Sequence, residues 1–233
     1  SASQKGSSAG GATLRLIESD RMPANSYQTG SPKDAHFGPS VGYNLRVDGG
    51  AKEGTWTVLQ WPVTQMTPTP MGHGVTLDGH GTAVCSGSIR GGCKGVNGDD
   101  SQKNPVEAKE RPLPGEPVRL GMVSSDGAVK VYAEIVPFPI DAKNKGCKVQ
   151  SIVLTRGSGV VLMEGTGFAP GEDVLLSEKN GKDEKTETVK ADDKGSVIKP
   201  IFPRVHGEER GEMKVTVKGG KCSPSVNVPW GQP

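Results

Sequence analysis

The sequence predicts an all-β protein built as two β-sandwich domains. Glycine and proline, 34 and 18 residues, make up more than a fifth of the 233 residues, whereas aromatic residues are only 4%. This composition is typical of chains with many short strands and loops. Short runs of alternating apolar and polar residues recur between turn-forming pairs such as Asp-Gly and Asn-Gly, as expected for antiparallel strands. The length allows two ordinary domains, each able to bury a core.

The first residues are predicted to lie outside both domains. Residues 1–12 consist of serine, alanine, glycine and a few polar residues, and they carry no apolar alternation. We expect them to form a disordered N-terminal stem or a tag remnant.

Residues 13–145 predict a β-rich, sandwich-like domain with long loops. Its expected strands are residues 13–19, 41–47, 55–63, 75–77, 82–85, 117–124 and 128–136. The last two are joined by Ser125-Asp126-Gly127, which is a hairpin signal. Residues 64–74 are expected to form a polyproline-like connector and residues 95–116 a long loop. Because loops carry much of protein function, a specific partner is expected to bind these two segments.

Residues 146–233 predict a smaller sandwich organised around residues 165–172, Gly-Thr-Gly-Phe-Ala-Pro-Gly-Glu. In this segment a strand ends in glycines, Phe168 enters the core, the chain turns at Pro170-Gly171, and Glu172 is expected to face solvent. Seven strands are expected, over residues 149–154, 159–164, 173–179, 185–190, 195–201, 211–218 and 224–228. In the sixth strand, Met213, Val215 and Val217 are expected to point inward.

This C-terminal third resembles bacterial immunoglobulin-like (Big/IPT-like) domains of surface or secreted proteins. The resemblance is carried, in order, by residues 165–172, by the turn and serine of residues 192–196, and by the alternating strand of residues 213–218. It implies an immunoglobulin-like β-sandwich of about seven strands and leaves the function open. The cysteines of this segment depart from the family, since many of its members lack them.

The chain has four cysteines, Cys85, Cys93, Cys147 and Cys222, which allow three pairings if all are oxidised. Cys85 and Cys93 flank a glycine-rich segment, and Cys147 and Cys222 lie at the two ends of the second domain. We therefore predict the pairs 85–93 and 147–222. Four reduced cysteines or a zinc site are the alternatives, but the close cysteine pairs of a zinc site are missing. Disulfides indicate an extracytoplasmic location, whether secreted, periplasmic or surface-attached.

One sequence motif suggests a catalytic residue. Residues 78–84, Asp-Gly-His-Gly-Thr-Ala-Val, resemble the histidine motif of subtilisin-like proteases, in which the histidine accepts a proton from a serine. That serine comes from a downstream Gly-Thr-Ser segment, and the chain contains none. We therefore interpret the string as a glycine-rich hairpin, predict no catalytic residue, and keep a hydrolase around His80 as a third alternative.

Metal and cofactor sites are not expected. His73 and His80 could meet across a hairpin, but no third ligand is evident, so surface histidines are the simpler interpretation. The acidic run at residues 97–101 lacks the alternating acidic positions of a calcium loop and predicts a solvated turn.

Aromatic residues provide the remaining candidates for binding. Trp56 lies in a strand and is expected in the core, where tryptophan is ordinarily used. Trp61, beside the predicted connector, and Trp230, near the end of the chain, are candidate binding residues, together with His73 and His80.

Charge and hydropathy limit the classes of partner that the protein is expected to bind. The net charge of +2 comes from 28 basic and 26 acidic residues that are interspersed, which argues against nucleic acid. No run approaches the ~18 apolar residues of a membrane span. The sequence favours a non-catalytic binding, adhesive or scaffolding module whose partner is a protein or a cell-surface glycan. A carbohydrate-binding or enzyme-accessory protein is the alternative.

Overall fold

The computed structural model describes residues 4–22, 39–50, 53–86 and 103–231. These residues contain no α-helix, and their strands pair in antiparallel fashion, so the predicted all-β class is confirmed. The chain divides into two compact units, one of Ser1–Leu113 with Pro117–Pro137 and the other of Pro114–Glu116 with Phe138–Pro233. Within the described residues, no helix is long and apolar enough to cross a membrane.

The first unit contains one ten-stranded sheet. Its strands are β1 (Lys5–Ala9), β2 (Ala12–Met22), β3 (Ser40–Asp48), β4 (Trp56–Gln60), β5 (Thr69–Leu77), β6 (Ala83–Cys85), β7 (Asn104–Pro105), β8 (Glu107–Glu110), β9 (Val118–Ser124) and β10 (Lys130–Ile135). Their order across the sheet is β7-β6-β5-β4-β9-β10-β1-β2-β3-β8. Because β1 pairs with β10 on one side and with β2 on the other, it joins the two halves of the sheet.

The sheet curls so that strands far apart in its order meet again. The backbone N–H of Val47 in β3 donates to the Gly81 carbonyl at 2.9 Å, and Arg46 and Thr82 form an isolated bridge. The curl encloses a core to which nearly all the strands contribute. Its largest fully buried side chains are Tyr43, Leu45, Trp56, Leu120 and Met122. The predicted core position of Trp56 is thus confirmed.

Three parts of the first unit differ from the sequence prediction. Lys5–Ala9 is a strand where a disordered stem was expected, because Gly10 and Gly11, both at positive φ, turn the chain into a hairpin with β2. The expected connector ends early, since β5 begins at Thr69 and pairs with β4 despite its proline. The expected loop over residues 95–116 contains β7 and β8, and its residues 95–102 lie outside the described part of the chain.

The second unit contains two four-stranded sheets. One has the order β11-β12-β13-β16 and the other β15-β14-β17-β18. The strands are β11 (Ile140–Asn144), β12 (Cys147–Val153), β13 (Val161–Thr166), β14 (Asp173–Asn180), β15 (Asp183–Lys190), β16 (Val197–Ile201), β17 (Gly211–Lys218) and β18 (Ser225–Trp230). The seven strands from Cys147 onward match the seven expected ones to within a few residues. β11 is an addition, so this unit begins earlier than the expected boundary at residue 146.

Both sheets of the second unit face one buried core. Met213, Val215 and Val217 of β17 point into it, as predicted, and Phe168 is buried among them at 6% exposure. A disulfide joins Cys147 and Cys222, whose Cα atoms are 6.1 Å apart, and both cysteines belong to the same core. The predicted 147–222 pair is confirmed. Cys85 is also disulfide-bonded, and its predicted partner Cys93 lies outside the described residues.

Polar side chains fix the turns of the second unit. The Glu172 carboxylate accepts the Ala169 N–H at 2.9 Å and also the Gly220 N–H, so it ties the turn of residues 165–172 to the loop after β17. This differs from the expectation that Glu172 is merely solvated. Asp192 accepts the N–H groups of Lys194 and Ser196 in the same manner.

Candidate functional site

The candidate site lies on the outward face of three neighbouring strands of the first unit, β4, β9 and β10. Register pairs Leu59 with Gly121 and Gly121 with Tyr132, so these residues form one row across the sheet. Side chains alternate between faces, and the neighbouring residues Val58, Leu120 and Val131 are buried in the core. The row Leu59–Gly121–Tyr132 therefore faces outward.

Gly121 makes this row concave. It has no side chain, and a Cβ placed on it would lie 3.6 Å from the Leu59 Cβ and 3.3 Å from the Val131 carbonyl oxygen. A side chain at position 121 would therefore press on Leu59 and on the Val131 backbone, and without one the row is lowest at Gly121, between Leu59 and Tyr132. We call this depression the Trp61 groove, and its lining residues are Leu59, Trp61, Pro68, Arg119, Leu120, Gly121, Val123, Lys130, Val131 and Tyr132.

Trp61 and Arg119 form one wall of the groove. The Arg119 guanidinium lies over the Trp61 ring, 5.6 Å from its centroid, in a cation–π contact. Its Nε donates to the Glu134 carboxylate at 2.7 Å. The Trp61 indole N–H donates to the Gln65 carbonyl at 2.9 Å. Trp61 is thus held from two sides, and the wall is preorganised.

The opposite side of the groove is formed by Lys130 and Tyr132. Tyr132 is 39% exposed, and Lys130 is exposed beside it. The loop between β4 and β5, which carries Pro68 of the lining, also presents Met66, which is 93% exposed. Tryptophan, tyrosine, methionine and arginine are the residues that protein interfaces favour relative to the rest of the surface.

The size of the groove limits what can occupy it. Its volume is about 210 Å³ and its lining is mostly apolar. Sites for drug-sized ligands and cofactors measure roughly 300–1,000 Å³. The groove therefore fits one or two side chains of a partner better than a complete cofactor.

His73 and His80 lie apart from the groove lining. The His73 Nδ1 and the Thr57 hydroxyl are 3.0 Å apart, and His73 is exposed on β5. His80 is exposed at the tip of the β5–β6 hairpin, where its backbone N–H donates to Asp78. The predicted glycine-rich hairpin is confirmed. Among the described residues the His80 ring has no hydrogen-bonded carboxylate of the kind that orients the histidine of a Ser-His-Asp triad.

Trp230 is buried, at 1% exposure, in the core of the second unit. Its indole N–H faces the Asn180 side-chain oxygen at 3.3 Å, and its ring packs over Gly211, the residue opposite it on β17. This partner satisfies the one polar atom of the side chain, so the residue fills the core where a binding role had been predicted.

Among the described residues, no group of three or more histidine, cysteine, aspartate or glutamate side chains is placed to hold a metal ion. The acidic run at residues 97–101 lies outside the described residues. Sequence comparison adds no relative, since no protein-family model and no curated protein matches the chain. The immunoglobulin-like resemblance of the second unit stays a prediction.

Sequence reasoning identified Trp61 but missed the residues that make a groove around it. Leu59 comes from β4, whereas Arg119 and Gly121 come from β9, and only the pairing of these two strands brings the three residues together. The sequence contained one signal for the residues on the outward face. Lys130, Tyr132 and Glu134 alternate with buried residues in β10, which assigns a tyrosine to the outward face.

Proposed function

We propose that the protein is a non-catalytic, extracytoplasmic binding module that recognises a protein partner through the Trp61 groove. The observation that carries this proposal is the groove itself, a concave apolar surface with a preorganised tryptophan–arginine wall on the outward face of a sheet. The second unit, interpreted as an immunoglobulin-like domain, would serve as a disulfide-stabilised scaffold. The Cys147–Cys222 disulfide is consistent with an oxidising compartment.

A glycan is the alternative ligand, and the contacts of Trp61 favour a protein over it. Sugars bind tryptophan by stacking on an open ring face, and Arg119 occupies one face of this ring. The indole N–H, which could bond a sugar hydroxyl, already donates to Gln65. A partner side chain can instead enter the apolar space between Leu59 and Tyr132.

A phage-displayed library of random linear peptides, selected on the purified full chain, tests the proposal. We expect enriched peptides whose affinity falls about thirtyfold in Trp61→Ala, because truncation of an interface hot spot costs about 2 kcal/mol. Gly121→Val fills the floor of the groove and should cause a similar loss.

Gly79→Val is the matched control, since a Cβ at this hairpin glycine meets nothing within 4 Å. It should bind the selected peptides like the wild type, and circular dichroism should show all three variants folded. Failure to enrich any peptide, or equal affinity of the Gly121→Val and Gly79→Val variants, would contradict a protein-binding groove. Binding on a glycan array that depends on Trp61 would support the alternative.

A further inference from the structure

The polar side chains around the Trp61 groove indicate the charge of the partner segment that fits it. Among the described lining residues, Arg119 and Lys130 are basic and none is acidic. The Trp61 indole N–H already donates to Gln65, whereas the Tyr132 hydroxyl has no hydrogen-bond partner within the described part of the chain. The groove therefore offers positive charge and free donors, and its described lining contains no carboxylate.

The charge of Arg119 is already balanced by the protein itself. Arg119 lies two residues before Gly121 on β9, and register places Glu134 of β10 beside it. The Arg119 Nε donates to the Glu134 carboxylate at 2.7 Å, and the two side chains are only 21% and 23% exposed. A carboxylate that a partner brought to this end of the groove would also meet Glu134, and juxtaposed like charges are unfavourable. This end of the groove therefore does not favour an acidic partner residue.

The charge of Lys130, at the other end of the groove, is not balanced. Register pairs Lys130 with Val123, two residues after Gly121 on β9. Lys130 is exposed, and its side chain forms no ion pair or hydrogen bond with any described residue. Asp126, at the tip of the same hairpin, is engaged there, because its carboxylate accepts hydrogen bonds from a hydroxyl and a backbone N–H of the hairpin. Lys130 therefore carries the uncompensated charge of the described lining.

The spacing of the rows determines where an acidic partner residue would stand relative to an apolar one. The groove is lowest at Gly121, which leaves room there for an apolar side chain, and Lys130 lies in the next row along the strands. Neighbouring rows on one face are two residues apart, or about 6.6 Å at 3.3 Å per residue. Side chains two residues apart in an extended partner segment share one face and have the same spacing. An apolar residue over Gly121 therefore brings the residue two positions away, in one direction of the segment, to Lys130.

We propose that the Trp61 groove binds an extended segment of a partner protein in which an apolar residue enters the groove over Gly121 and an aspartate or glutamate two positions away pairs with Lys130. This inference rests on the proposed function and adds the chemistry of the partner. The position two residues to the other side reaches the Arg119–Glu134 pair and does not share the acidic preference. Because the pair with Lys130 lies at the exposed rim, it contributes more to the choice of partner than to affinity.

Parallel selections of the random-peptide library on the full chain test the proposal, with the wild type, Lys130→Glu and Lys214→Glu as targets. Peptides selected on the wild type should be enriched in aspartate or glutamate two positions from the apolar anchor. Lys130→Glu should replace this preference by one for lysine or arginine and keep the apolar anchor. Lys214→Glu is the matched control, since Lys214 is exposed on β17 of the second unit and forms no ion pair with a described residue. It should select the same peptides as the wild type.

Fluorescence anisotropy then compares one selected peptide with a copy in which the corresponding amide replaces its acidic residue. The amide copy should bind the wild type about two- to fivefold more weakly, as expected for an exposed ion pair, and Lys130→Gln should bind both peptides equally. Circular dichroism establishes that each variant is folded.

The outcomes separate this inference from the proposed function. If the selected peptides depend on Trp61 and Gly121 but show no acidic preference at this position, the binding function stands and the acidic partner is overturned. The same conclusion follows if Lys130→Glu and Lys214→Glu select the same peptides, or if Lys130→Gln still distinguishes the acid from the amide. If no peptide is enriched on the wild type, the groove fails as a binding site, and this inference fails with it.

Discussion

The two units hold their strands together by different means. In the second unit a covalent bond joins Cys147, at the start of β12, to Cys222, between β17 and β18, across 75 residues of chain. In the first unit the short strand β1 lies between β10 and β2 and connects the halves of the sheet through backbone hydrogen bonds. One link is covalent and buried, whereas the other is a five-residue strand of small and polar residues.

The two units also differ in what their surfaces offer to a ligand. In the second unit, polar side chains such as Glu172 and Asp192 satisfy the backbone of the turns, so little of the turn surface is left for a ligand. In the first unit, the pairing of strands distant in sequence leaves an outward face with a glycine in its middle. The Trp61 groove is a product of that pairing.

Removal of the Cys147–Cys222 disulfide is expected to cause the largest loss of stability in the second unit. In the chain-entropy model, a 75-residue loop contributes about 4.5 kcal/mol. The variant C147A/C222A should therefore lose about 4.5 kcal/mol of unfolding free energy, measured by urea denaturation. Hydrogen exchange read by mass spectrometry should show the loss in β12 to β18.

The first unit supplies the control for that measurement, because its strands should keep the exchange rates of the wild type. A loss below about 1 kcal/mol would mean that strand pairing alone holds the second unit closed. Equal acceleration of exchange in both units would contradict their independence.

Removal of residues 1–9 is expected to have the next largest effect, and in the first unit. β1 is hydrogen-bonded through its backbone to β10 and to β2, and the Gln4 side chain adds two hydrogen bonds, to Leu14 and Leu16. Each hydrogen bond contributes about 0.5–1.5 kcal/mol, and the conformational entropy lost in ordering the strand offsets part of this sum. We therefore expect the truncation to lower the free energy of unfolding by about 2 kcal/mol.

Differential scanning calorimetry and hydrogen exchange measure this loss, which should fall on β2 and β10. Gln4→Ala should reproduce a small part of it. If the truncated chain unfolds like the full chain, β1 contributes nothing to closure, and the stem expected from the sequence would describe these residues better.

The second unit could be predicted from the sequence more fully than the first. Its strands follow one another with explicit turns, the inward position of Met213 follows from local alternation, and that of Phe168 follows from the turn motif of residues 165–172. Gly195 illustrates such a local signal, because its φ of 73° and the 2.1 Å approach that a Cβ would make to the Phe168 carbonyl leave only glycine. In the first unit, β1 was missed because a strand of serine and glycine has no apolar period.

The candidate site could be predicted only in part. Trp61 was identified from its residue type and its place beside a proline-rich connector. Arg119 and Gly121 were missed because their role depends on strand register, which local sequence does not encode. Trp230 was named as a candidate binding residue, since sequence does not reveal that it is buried with Asn180 accepting its indole N–H. Residue type thus indicated what could bind, and only tertiary pairing distinguished core from surface.

The smallest predicted effect concerns Glu172 and depends on pH. The hydrogen bond from the Gly220 N–H, followed by that from Ala169, holds the pKa of the Glu172 carboxyl below its ordinary value of 4.5. Since the folded-state pKa is the lower one, ionised Glu172 stabilises the fold at pH values above 4.5, and this contribution is lost as pH falls through the folded-state pKa.

Glu172→Gln removes the charge while keeping an acceptor oxygen, so it should lower the Tm at neutral pH and approach the wild type in acid. Glu208→Gln, at an exposed glutamate, is the control and should differ little from the wild type at either pH. Thermal melts followed by circular dichroism across the acidic range measure the difference. If the difference in Tm between the wild type and Glu172→Gln stays constant with pH, the charge of Glu172 does not contribute. The shape of the side chain would then be what ties the turn of residues 165–172 to the loop after β17.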